Sequence, residues 1–168
     1  MIAGSEKVEP AAGAKSWRGR FARYAPLVLW MGVIFVASTG ELSASNTSRI
    51  VRPLLLWLFP HISEPRIEFV HFLVRKAAHF TEYAVLAVFA ARAFARSTHL
   101  WLRSRWLYAA ALLVILYALS DEFHQSFVAS RTASIYDSLI DMAGGMTTLA
   151  VYALWRARRG RRGSSMNN

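Results

Sequence analysis

The sequence predicts an all-α integral membrane protein: a four-helix bundle with both termini cytoplasmic and a short interfacial or re-entrant helix between spans one and two. Three observations predict it. Hydrophobic residues make up 55% of the 168, with a mean hydropathy of +0.28, outside the usual soluble range. Apolar stretches recur at lengths close to the roughly 20 residues that a spanning helix needs. Arginine and lysine gather in blocks beside those stretches rather than over one soluble face.

The first 23 residues form a polar, basic tail with Lys7, Lys15, Arg18, Arg20 and Arg23, and residues 1–16 are expected to be disordered. No clean cleavage signal follows, so the apolar run from Tyr24 to Gly40 reads as an uncleaved first span. The second span, 69–91, is interrupted in its first half by Arg75, Lys76, His79 and Glu82, and a hydropathy window scores it poorly. Residues 106–121 make the third span. Residues 135–155 make the fourth, with Asp137 and Asp141 near its start, before a basic tail at 156–168. The domain is therefore 24–155. Basic residues at the amino end, at Arg92 to Arg105 and at Arg156 to Arg162 place both termini in the cytoplasm and two loops, 41–68 and 121–134, outside. Within the first loop, Ile50 to Phe59 is apolar but too short to cross, and Pro53 and Pro60 limit its helix.

Composition also excludes. A chain without cysteine has no disulfide, thiolate metal site or Cys nucleophile. The formal charge of +10 sits in blocks that fix topology, so no nucleic-acid partner is expected. There is no internal repeat, which argues against an inverted-repeat transporter.

Depth brings the ionisable residues together. A helix rises 1.5 Å per residue, so Glu82 lies about 15 Å, His79 about 20 Å and Lys76 about 24 Å outward from Arg92. Asp121 lies about 24 Å from Arg105, and Asp141 and Asp137 lie about 22 and 28 Å from Arg156. Lys76, His79 and Tyr83 share one helical face; so do Asp137 and Asp141, and so do Asp121, His124 and Gln125 if the third helix continues that far. Charges facing lipid at this depth cost at least about 2.5 kcal/mol each, so the three stripes should face inward. Two readings follow. In the first the residues are structural glue, Lys76 and Arg75 neutralised by Asp121 and Asp141 with His79 donating to a carbonyl. In the second the mixture of acids and bases at one height is a functional site.

The strings RKAAHFTEYAVL (Arg75 to Leu86) and SDEFHQSFVASRTASIYDSLIDMAGG (Ser120 to Gly145), with FVASTGELSASN at the first-helix exit, closely resemble the VanZ-like family of small bacterial membrane proteins. The resemblance covers about residues 25–153. It implies that Lys76, His79, Glu82, Tyr83, Asp121, Glu122, His124, Gln125, Arg131, Asp137 and Asp141 occupy the family's motif positions. It also implies the bacterial cytoplasmic membrane and a possible link to teicoplanin, a lipoglycopeptide to which the founding member gives low-level resistance. Val128-Ala129-Ser130 stands before Arg131 where a Pro-Gly pair is common in the family.

The favoured expectation is an outward cavity that binds, and in an enzymatic version modifies, an anionic lipid headgroup. Lys76 and Arg131 would contact phosphate, with Glu82, Tyr83, Gln125, Asp137 and Asp141 as further ligand-binding residues. In the enzymatic version Asp121 or Glu122 is general base with His124 as partner, and His79 moves a proton. The partners would be membrane lipids, a lipid-linked envelope precursor or a lipoglycopeptide. No H-x-x-x-H or H-E-x-x-H spacing is present, so no cofactor is assigned, although His79, His124, Asp121 and Asp141 could hold a divalent metal. The alternatives are a non-catalytic binding or shielding module and a small proton-coupled transporter, for which Glu82 near the midplane is the one sign.

Overall fold

The computed structural model describes the backbone of residues 12–39, 44–127 and 135–165 and the side chains of 17–39, 48–127 and 136–159. These residues form six helices and no strand: α1 (Ala12–Ser38), α2 (Ala44–Leu58), α3 (Glu64–Ala95), α4 (Leu100–Ser104), α5 (Trp106–Gln125) and α6 (Ile135–Ser165).

The helix α3 is the centre of the molecule, packing most heavily on α6 and also on α5, α1 and α2. Its sequence explains this. Ala87, Ala90, Ala91 and Ala93 are all fully buried, and side chains this small let neighbouring helices approach closely on several sides. Pro65 stands in its first turn, where the missing N–H costs nothing, and Arg92 in its last turn complements the helix dipole. The helix α6 reaches both α3 and α5 through glycine. A Cβ at Gly144 would run into the Phe80 carbonyl of α3, and one at Gly145 would run into the Val114 side chain of α5. Leu27, Ile34, Leu86, Val114 and Leu149 fill the core between these helices.

Polar contacts join the helix α1 to the rest along its length. Tyr24 Oη donates to Ser97 Oγ at 2.9 Å, Trp30 Nε1 donates to the Glu82 carbonyl at 2.9 Å, and Tyr117 Oη donates to the Met31 carbonyl at 2.5 Å. Its other faces carry exposed Val28, Leu29, Val33 and Val36. Among the described residues, two segments are long and apolar enough to cross a membrane, Trp17–Ser38 of α1 and Trp106–Gln125 of α5, and fewer than a quarter of the residues in either apolar window are buried. Exposed apolar surface on this scale is unlike the core helix of a soluble domain. The helices α3 and α6 are not among these segments.

The helices run longer than the expected spans. The helix α1 begins at Ala12, inside the basic tail; α3 covers 64–95 rather than 69–91; α5 continues to Gln125; and α6 extends through the arginines to Ser165. The backbone gains a hydrogen bond per residue by continuing, and basic side chains favour helix C-termini. Pro53 does not stop α2, which runs through it and ends two residues before Pro60. Arg52 and Glu64 tie α2 to α3 in a bidentate pair, with N–O distances of 2.7 and 2.6 Å. The Arg52 hydrogen bond holds the Glu64 carboxyl below its usual range. The sequence predicts disorder for residues 1–16, but 12–16 are already helix in α1, while residues 1–11 lie outside the described ones.

Candidate functional site

The continuation of α5 past residue 121 is what builds the site, because it carries Asp121, Glu122, His124 and Gln125 on ordered helix beside α3 and α6. Two layers result. The upper layer is ionic: Arg75 Nη2 reaches Asp137 Oδ2 at 3.2 Å, and Lys76 Nζ reaches Asp137 Oδ1. Asp137 is 2% exposed and therefore accepts from two cations in near-complete burial. The Arg75 Nε is buried without a partner, and Lys76 also lies over the ring of Phe72, 5.2 Å from its centroid.

The pairing differs from the expected glue, in which Asp121 and Asp141 neutralise Arg75 and Lys76. Asp137, one turn above Asp141 on the same face, takes both cations instead. Among the described residues His79 Nδ1 faces the Asp141 carboxylate rather than a carbonyl.

The lower layer holds His79, Asp121 and Asp141, from α3, α5 and α6, all buried, with one potential ligand atom from each lying within 4.8 Å of the others. His79 Nδ1 stands 3.2 Å from Asp141 Oδ1, an ion-pair distance, without forming a hydrogen bond. Both Asp141 oxygens are consequently buried without a hydrogen-bond partner. Asp121 is held by Gln125, whose Nε2 donates to Asp121 Oδ2 at 3.0 Å and approaches Ser38 Oγ of α1 at 3.5 Å. Tyr83 is fully buried one turn along α3 from His79, and its hydroxyl has no hydrogen-bond partner.

Other expected residues stand apart from this layer. The His124 ring stacks on Phe35 of α1, centroids 4.6 Å apart, so the imidazole beside Asp121 is His79. Glu82 is half-buried, and its backbone carbonyl serves α1 through Trp30. Glu122 is half-buried and close enough to Lys76 and Asp141 to act on both electrostatically. Arg131 and the Val128-Ala129-Ser130 turn lie outside the described residues. Two residues gain importance that the sequence reading had not given them. Ser138 is fully buried with an unpartnered hydroxyl, and its signal was its place three residues before Asp141 on a helix. Arg75 joins Lys76 on one carboxylate. Among the described residues, two concavities of about 530 Å³ lie elsewhere, one along α1 and α5 by Met31, Leu113 and Tyr117 and one at the α2–α3 turn by Pro60, His61 and Arg66. Both are lined mainly by apolar groups and miss the cluster. Among the described residues the cluster is a set of closely packed side chains.

Exposed apolar helices around a buried ionisable cluster point to a membrane protein that keeps a polar site between its helices. The family is shown directly: the chain matches the VanZ/LLP1 family model over residues 23–156 and belongs to that family. No curated protein and no solved structure matches it.

Proposed function

We propose that the chain crosses the bacterial cytoplasmic membrane four times with both termini inside, and that the α3–α5–α6 cluster, on the outward side, binds the anionic headgroup of a cell-envelope lipid. The observation that carries this reading is the shared carboxylate. Arg75 and Lys76 converge on Asp137, with Glu122 and Asp141 close enough to act on Lys76, and Arg75 Nε keeps an unused donor. A phosphate oxygen supplies the missing acceptor, and its charge suits a site where two cations share one carboxylate.

The surroundings suit a lipid. Phe69, Phe72, Lys76 and Phe80 follow one face of α3, and all three phenylalanines are exposed, so acyl chains can lie along the rings while the headgroup meets the cations. Arg131 remains a further phosphate ligand in this reading. A lipid-tailed glycopeptide offers acyl and acidic groups to the same surface, which keeps lipoglycopeptide susceptibility within the proposal.

Turnover is supported by one geometric feature, the imidazole of His79 beside Asp141 and Asp121, a pairing suited to moving a proton. Incubation with labelled phosphatidylglycerol followed by chromatography separates turnover from plain binding by a released headgroup.

Binding itself is tested by thermal unfolding in detergent with added phosphatidylglycerol or phosphatidylcholine. Wild type should be stabilised by the anionic lipid alone, and the shift, measured from each variant's own baseline, should be lost in Arg75→Gln and Lys76→Gln. Equal shifts with both lipids, or an undiminished shift in both variants, would overturn the proposal.

A further inference from the structure

We infer that His79, Asp121 and Asp141 form a binding site for a divalent transition-metal cation, of the zinc or manganese type, held by one imidazole nitrogen and two carboxylate oxygens. The inference goes beyond the headgroup reading and does not depend on it.

The first argument is convergence. Three helices each contribute one buried ligand-type side chain, and the candidate atoms lie within 4.8 Å of one another. Ligands around a tetrahedral cation at 2.0–2.1 Å are about 3.3 Å apart. His79 Nδ1 and Asp141 Oδ1, at 3.2 Å, already stand at that separation, and neither atom has a hydrogen-bond partner, as suits two groups that share a third atom.

The second argument is unsatisfied polarity. Asp141 is 1% exposed, yet both of its oxygens lack a hydrogen-bond partner, as does His79 Nδ1. Buried carboxylate oxygens are rarely left so, because desolvation without a compensating contact is costly. The nearby cations do not resolve it, since Arg75 and Lys76 are placed on Asp137. Two carboxylates facing a common point in an apolar interior repel one another unless a cation or a shared proton lies between them.

The third argument is outer support. Gln125 Nε2 fixes Asp121 Oδ2, which orients the carboxylate and leaves its other oxygen for a metal. The buried Tyr83 hydroxyl, close enough to Asp121 and Asp141 to feel both, is a donor for a metal-bound water. One imidazole and two carboxylates suit zinc or manganese better than calcium, which takes six or more oxygens, and three protein ligands leave a coordination position open.

The experiment uses the full chain in non-ionic detergent without added lipid, stripped with chelator and then exposed to zinc, manganese or magnesium chloride alone. Elemental analysis after desalting should give about one zinc or manganese ion per chain for wild type and for His99→Gln, an exposed histidine outside the cluster. Loading should fall to background in His79→Gln and Asp141→Asn. At a hundredfold excess over Kd the bound ion should raise the melting temperature of wild type by about 5 to 10 °C. Should those variants fail to fold, X-ray absorption of zinc-loaded wild type decides, with a single imidazole and oxygen ligands near 2.0–2.1 Å expected. Absence of stoichiometric metal on wild type, a spectrum without imidazole, or full loading of both variants overturns the inference. Because no lipid is present, failed headgroup binding leaves this result standing, and the reverse holds as well.

Discussion

Asp137 does the work of two acceptors at 2% exposure, so its removal strands two cations at once. Asp137→Ala should destabilise the protein by about 3 kcal/mol, near the lower end for breaking a buried pair because Arg75 is 39% exposed. The double variant with Lys76→Ala should cost less than the sum of the two single changes by about 1–3 kcal/mol, measured by unfolding in detergent. Strict additivity would show that the pair is not energetically coupled. Depth reckoning placed Lys76 at about 24 Å, with Asp141 near 22 Å and Asp137 near 28 Å, which cannot choose between partners one turn apart. It therefore brought the right helices to one height but assigned the wrong carboxylate. The stacking of His124 on Phe35 was out of reach for the same kind of reason. Spacing along α5 placed His124 near the face of Asp121, but the rotation of α5 against α1 depends on packing across the chain.

At the scale of elements, Gly144 and Gly145 set how closely α6 lies on α3 and α5. Gly144→Ala forces a methyl into the backbone carbonyl of Phe80, which cannot swing aside, and should cost about 2 kcal/mol despite alanine's better helix propensity. Gly145→Ala meets only the side chain of Val114 and should cost less. A melting temperature for Gly144→Ala at or above wild type would refute the close approach. The sequence carries a sign of this approach, since Gly144, Gly145 and Thr148 place small residues within one turn of an otherwise apolar helix, which lets a neighbour come close. It carries none of the path of α2 through Pro53, because one lost hydrogen bond is outweighed when the segment packs on α3 and is clamped by Arg52 to Glu64. That clamp has a pH signature. The Glu64 value is lowered from 4.5 in the folded state, so the stabilisation is complete above the unfolded value and disappears as pH falls through the folded one. The small melting difference between wild type and Glu64→Gln should therefore be present at neutral pH and vanish on acidification below about 4.5. A difference that grows on acidification would contradict the assignment.

For the whole molecule, the basic blocks and the exposed apolar faces of α1 and α5 together set the proposed topology. Alkaline phosphatase fused after Ser63 or Ser130 should be active, and the same reporter fused after Arg103 should be inactive. Cytoplasmic behaviour at both outer positions would refute the four-span arrangement. The all-helical character and the gathering of α3, α5 and α6 around charged residues were legible because hydropathy and helical period are local properties of the chain. The two-layered site was less so, since it depends on how three helices turn toward one another. The central claim is that Arg75 and Lys76 hold an anionic headgroup above the buried cluster. Native mass spectrometry of the protein released from bacterial membranes tests it most directly. Wild type should retain an anionic phospholipid that is lost from the Arg75→Gln, Lys76→Gln double variant; a wild-type spectrum free of anionic lipid, or one unchanged in that variant, would contradict headgroup binding at these cations.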